Sequence, residues 1–184
     1  MTEHSEAAVL AAVAEAPRIG WALAAGRAEP PFEGAGALLA AFAALADRWM
    51  AEDAAAADMA GLRTPGRVRA VIALRLARLA PYREALRRAA GLRLLPHVAP
   101  WSARSMAATV DAVWHAAGEK LDDATRHTKR ATLAAVLSAT MLYWLRGDAA
   151  ATLAFLDRRL ADVGRIGKIR ARAGNMLTRK SSRA

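Results

Sequence analysis

The chain has 184 residues, 27 Lys and Arg against 17 Asp and Glu, a formal charge of +10, and no cysteine. That length fits one domain with a single substantial core, and the lack of cysteine excludes disulfides, iron–sulfur clusters, cysteine zinc sites and thiol catalysis. Arg, Asp or Glu recurs too often for any run to reach the roughly 20 apolar residues that span a bilayer.

The opening MTEHSEAA carries two glutamates, and no basic residue precedes Arg18. This pattern is expected of neither a secretory signal nor a mitochondrial presequence, and with the Ala/Arg-heavy usage it reads as a cytosolic bacterial protein. Ala dominates, β-branched residues are sparse, and apolar residues recur at helical spacing almost throughout, so the expected class is all-α. In chain order the spacing predicts helices over about 6–15, 19–25 and 36–56. A fourth, over 65–79, carries Val68, Val71, Ile72, Leu76 and Leu79 on one stripe.

Pro81, Pro96 and Pro100 then break the pattern. A helix over 102–117 follows, with Met106, Val110, Val113, Trp114 and Ala117 on its stripe. The clearest segment, 128–145, places Leu133, Val136, Leu137, Thr140, Met141 and Trp144 on one face. Gly147–Asp148 precedes a helix over 150–163. The expected division is an N-terminal helical part at 1–60, a helical bundle at 61–163, and a basic tail at 164–184.

The tail holds Arg165, Lys168, Arg170, Arg172, Arg179, Lys180 and Arg183 and no acid, so the first 163 residues are near +3. Such asymmetry points to an anionic partner. As an amphipathic helix the tail would set Ile166, Ile169, Met176 and Leu177 among Arg165, Lys168, Arg170 and Arg172, which suits the interface of an anionic membrane.

AGEKLDDATRHTKR, residues 117–130, gathers Glu119, Asp122, Asp123 and His127 close behind His115. His115 and Glu119 have the i, i+4 spacing of two ligands on one helix face. The arrangement is nevertheless neither HExxH nor paired ExxH. A simpler account ends one helix at Gly118 and caps the next with Asp122, Asp123 or Thr125. No metal site and no cofactor is therefore expected. GxSxG, a phosphate-cradling loop and a dinucleotide fingerprint are all missing, so no catalytic residue is assigned.

Large Trp and Met side chains among many alanines can instead line an apolar cavity. The candidate lining is Met106, Val110, Trp114, Leu133, Val136, Leu137, Met141 and Trp144, on the inner stripes of the two central helices.

Four ordered segments carry a family resemblance: FEGAGALLAAFAALADRWM, RVRAVIALRLARLAPYREALRRA, VDAVWHAAGEKLDDATRHTKRATLAAV and FLDRRLADVGRIGK. The chain resembles the ubiquinone-biosynthesis accessory proteins, the family numbered nine in the coenzyme Q pathway, most clearly from Arg67 onward. The resemblance implies a TetR-like bundle of about nine to ten helices, homodimeric, with a terminal amphipathic helix. It implies a pocket for an isoprenoid quinone precursor or phospholipid, no catalysis, and delivery to the di-iron demethoxyquinone hydroxylase. The location that follows is peripheral, on the inner face of the bacterial cytoplasmic membrane.

Where the family has an aromatic pair before Thr-Lys-Arg, this chain has Arg126 and His127, the positions expected to meet the partner. Glu119 and Leu121 also depart from the family's Asp and Ser. Two other functions fit an all-helical basic chain: a TetR-like DNA-binding regulator and a ligand-free interaction module. The segment before Phe32, IGWALAAGRAEPP, offers only Arg27 to DNA, against the basic recognition helix that a reader needs, so nucleic acid is not the expected partner.

Overall fold

The computed structural model describes residues 5–119 and 126–181, from 166 onward as backbone only. The described residues are all helical: α1 (Glu6–Ile19), α2 (Trp21–Arg27), α3 (Ala35–Ala56), α4 (Thr64–Leu79), a 3-10 turn (Ala80–Tyr82), α5 (Arg83–Leu92), α6 (Ala99–Ala116), α7 (Arg126–Arg146) and α8 (Ala149–Ser181). The all-α expectation holds. The expected nine to ten helices become eight α-helices and one 3-10 turn among the described residues. One reason is that the basic tail adds no helix of its own, because α8 runs on through residue 163.

Local chemistry sets several boundaries. Ser5 caps α1, its Oγ accepting from the Ala8 N–H at 3.2 Å. Pro100 lies in the first turn of α6, where a missing N–H costs nothing. The helix therefore starts at the proline that would have broken its interior. Gly118 closes α6 at φ 72°, donating to His115 O at 2.9 Å while Glu119 N–H reaches Trp114 O at 3.0 Å. This pair of bonds is a Schellman motif, with glycine in the left-handed position it requires. The expected caps Asp122, Asp123 and Thr125 lie outside the described residues.

Helix α4 organises the bundle. Val68, Val71, Ile72, Arg75, Leu76 and Leu79 form its buried stripe, at the 3–4 spacing of a core-facing helix. Its other arginines reach outward to different helices. Arg78 grips Asp53 of α3 through two bonds of 2.7 Å. Arg69 holds Asp157 of α8, and Arg67 reaches Glu119 at 2.6 Å. Exposed pairs of this kind contribute only about 0–1 kcal/mol each, so they fix orientation more than stability.

Helix α5 was not foreseen, being a short run between prolines. Its signature is nonetheless present: Ala85, Leu86 and Ala89 face the core, and Glu84 pairs with Arg88 one turn on. It docks on α7 through cations at that helix's negative end. Arg87 donates to Leu145 O at 3.1 Å and Arg83 to Gly147 O at 3.0 Å, while Arg83 also lies 4.5 Å over the Trp144 ring. On its other side, the Trp21 indole donates to Ala85 O at 3.0 Å.

Helices α3 and α6 meet where Gly36 faces Trp101. A Cβ at Gly36 would sit 2.6 Å from Trp101 Cδ1 and 2.9 Å from Cγ, so the near end of the indole would have to move. Overpacking of this kind costs about 1–3 kcal/mol, against at most about 1 kcal/mol gained from helix propensity. Gly36→Ala should therefore destabilise the fold by about 1 kcal/mol in urea unfolding. A stabilised variant would contradict this packing.

Candidate functional site

Five helical elements converge on a cavity of about 50 Å³. Helix α3 contributes Leu39, Phe42, Ala43 and Ala46, and α4 contributes Ile72, Arg75, Leu76 and Leu79. Leu86 of α5 and Arg93 just beyond it form another side. Ser105, Met106 and Thr109 come from α6, with Leu137, Thr140 and Met141 from α7. The wall is mostly apolar, and methionine thioethers give it an adaptable surface. A drug-sized ligand pocket is roughly 300–1,000 Å³, so a long ligand needs these helices to separate.

Three of the sequence-predicted lining residues, Met106, Leu137 and Met141, stand in this wall. The other five pack elsewhere. Val110, Leu133, Val136 and Trp144 are buried in the core, and Trp144 is covered by Arg83. Trp114 is half-buried, and its indole Nε1 is enclosed with no hydrogen-bond partner.

Arg75 and Thr109, which the sequence stripes passed over, also line the cavity. Arg75 and Asp47 form an ion pair, their side chains only 8% and 12% exposed. The Thr109 hydroxyl donates to Asp47 Oδ2 at 2.9 Å and accepts from Arg75 Nη2 at 3.5 Å. Burial pushes the Asp47 carboxyl up, while Arg75 and Thr109 pull it down. Burial likewise lowers the Arg75 guanidinium, against the attraction of Asp47. The signal available in the sequence was an arginine inside an otherwise apolar stripe, which demands a buried acid.

The polar junction after α6 is tied to α4. Glu119 Oε1 accepts from Arg67 Nη2 and from the Thr64 hydroxyl, each at 2.6 Å. His115 is exposed on α6. Among the described residues no group of three or more His, Cys, Asp or Glu could hold a metal ion.

Arg126 and His127 begin α7 and are exposed. Arg165 is exposed on α8 and paired with Asp162 at 2.5 Å. Ile166, Lys168, Ile169, Arg170, Arg172, Met176 and Leu177 fall in the same continuous helix. At 1.5 Å per residue, its 33 residues span about 50 Å. Among the described residues no helix is long and apolar enough to cross a membrane.

Residues 99–167, covering α6, α7 and the first half of α8, match the family model described as COQ9. The chain is 35% identical over 103 residues to the human ubiquinone biosynthesis protein COQ9, mitochondrial, covering 54% of this chain and 32% of the human protein. The rat protein of the same name is also 35% identical, over 54% of this chain and 33% of its own length. The Xenopus tropicalis protein is 33% identical, over 54% and 32%. The chain thus spans about a third of the length of the curated relatives it matches.

The buried ion pair gives a direct test of the site's energetics. Removing one partner of such a pair leaves an uncompensated charge and costs about 3–5 kcal/mol, whereas an apolar pair of similar volume is often neutral. Asp47→Ala should lose about 3–5 kcal/mol in urea unfolding, and Asp47→Leu with Arg75→Met should recover most of that loss. A single-variant loss below about 1 kcal/mol would contradict the buried pairing.

Proposed function

We propose that this chain, whose residues 99–167 are a COQ9-family segment, is a non-catalytic accessory protein of ubiquinone biosynthesis. Its task is to shelter the apolar part of an isoprenoid quinone precursor and present the head group to a membrane-bound pathway enzyme. The observation that carries the reading is the apolar cavity where α6 and α7, both inside the family match, face α3 and α4.

The physical need is plain. Exposing a hydrocarbon chain to water costs about 0.8 kcal/mol per CH₂, about 4 kcal/mol for each five-carbon isoprene unit. A carrier must enclose the chain or lift it only part-way from the bilayer. Helix separation around the methionine-lined wall would supply the room, in a site whose wall is already mostly apolar.

The basic half of α8 fits contact with an anionic membrane, since each Lys or Arg near such a surface contributes about 1 kcal/mol. This reading sets the protein on the inner face of the bacterial cytoplasmic membrane. The exposed pair Arg126 and His127 would meet the client enzyme, by family resemblance the di-iron demethoxyquinone hydroxylase. Leu142 and Tyr143, 56% and 37% exposed on α7, offer an apolar strip to a second copy of the chain.

Protein purified from ubiquinone-making cells should release an isoprenoid precursor into organic solvent, identified by mass spectrometry. Leu137→Trp fills the cavity and should lower that occupancy several-fold; unchanged occupancy would count against the site. Truncation after Val163 should weaken binding to anionic vesicles at least tenfold, and equal binding would reject the membrane role of α8.

A further inference from the structure

Charge in the cavity does not balance. Arg75 and Asp47 form a neutral pair whichever way their shared proton lies. Arg93, at the C-terminal end of α5, also lines the cavity. Its guanidinium is half-buried, and among the described residues it meets no carboxylate and no hydrogen-bond acceptor. Its nearest charged influence is Arg75, which repels it, and burial and that repulsion both lower its basicity. The negative end of α5 offers at most about half a charge.

A second group points the same way. Thr140, on the neighbouring wall formed by α7, is 1% exposed, and its hydroxyl has no hydrogen-bond partner. A buried hydroxyl without a partner is costly, and the half-buried Arg93 guanidinium has only water to balance its charge. Both residues line the same cavity, so a ligand that paired them there would relieve both. Next along the chain, Leu94 and Leu95 are 84% and 39% exposed, giving an apolar rim beside Arg93.

We propose that this cavity is selective for an amphiphile with a monoanionic head, such as a carboxylate, held by Arg93 and hydrogen-bonded by the Thr140 hydroxyl. Arg93, the one uncompensated cation among the described residues that line the cavity, sets the head at one negative charge, and its guanidinium fork matches a carboxylate in two parallel bonds. The apolar chain of the ligand runs among Phe42, Leu76 and Met141. This inference rests on the reading of the cavity as a lipid site and adds a head-group preference to it.

The test uses the delipidated full chain and two probes titrated by calorimetry, dodecanoate below its micelle concentration and dodecanol below its solubility limit. Dodecanoate should bind at least tenfold more tightly. Arg93→Leu should abolish that preference with dodecanol affinity retained, Arg93→Lys should keep only the part due to charge, and Thr140→Val should reduce it. Circular dichroism establishes that each variant is folded.

Equal affinity of the parent protein for both probes would overturn the head-group proposal and leave the apolar lipid site standing. Binding of neither probe would overturn both readings. The parent comparison needs no variant, so an Arg93→Leu protein that fails to fold leaves the proposal falsifiable. A preference that survives in folded Arg93→Leu would also overturn it.

Discussion

The contact among Arg75, Asp47 and Thr109 holds the centre of this structure. It joins α4, α3 and α6 at one buried point, where two charges have left water and only each other and one hydroxyl replace it. Desolvation of that kind allows little freedom in geometry. Helices α3, α4 and α6 must keep the registers that bring these three side chains together. The cavity lies beside this cluster, among Leu, Met and Ala side chains of the same helices.

Much of the fold was legible because period and punctuation agree. The α4 stripe from Val68 to Leu79 is buried as the spacing predicts, and so is the α7 stripe from Leu133 to Trp144 apart from half-buried Met141. Gly118 terminates α6 through the backbone geometry that its position suggests. Helix α5 was hidden because ten residues between prolines give too few turns for a clear period, and much of its anchoring runs through Arg83 and Arg87 to carbonyls of α7. No periodicity in a sequence announces a side-chain-to-backbone bond over such a separation.

The candidate site was less legible than the fold. A stripe identifies which residues face inward, but it cannot say which of them touch empty space and which touch one another. Met106, Leu137 and Met141 share a stripe logic with Val110, Leu133 and Trp144, yet only the first three border the cavity. The polar lining was missed for a related reason. Arg75 and Arg93 read as ordinary basic residues until packing shows that one is paired in the interior and the other is not. The family match covers α6 and α7, whereas half of the cavity wall comes from α3 and α4, which lie before the matched segment.

The central claim is that the apolar cavity between α3, α4, α6 and α7 opens to take an isoprenoid chain. A crystal structure of the protein with a short-chain isoprenoid phenol tests it most directly. The account predicts the chain lying among Phe42, Leu76, Leu137 and Met141, with the cavity enlarged from its present 50 Å³ to the roughly 300 Å³ or more of a true ligand pocket. A ligand seated only on the outer surface, with the cavity unchanged, would contradict it.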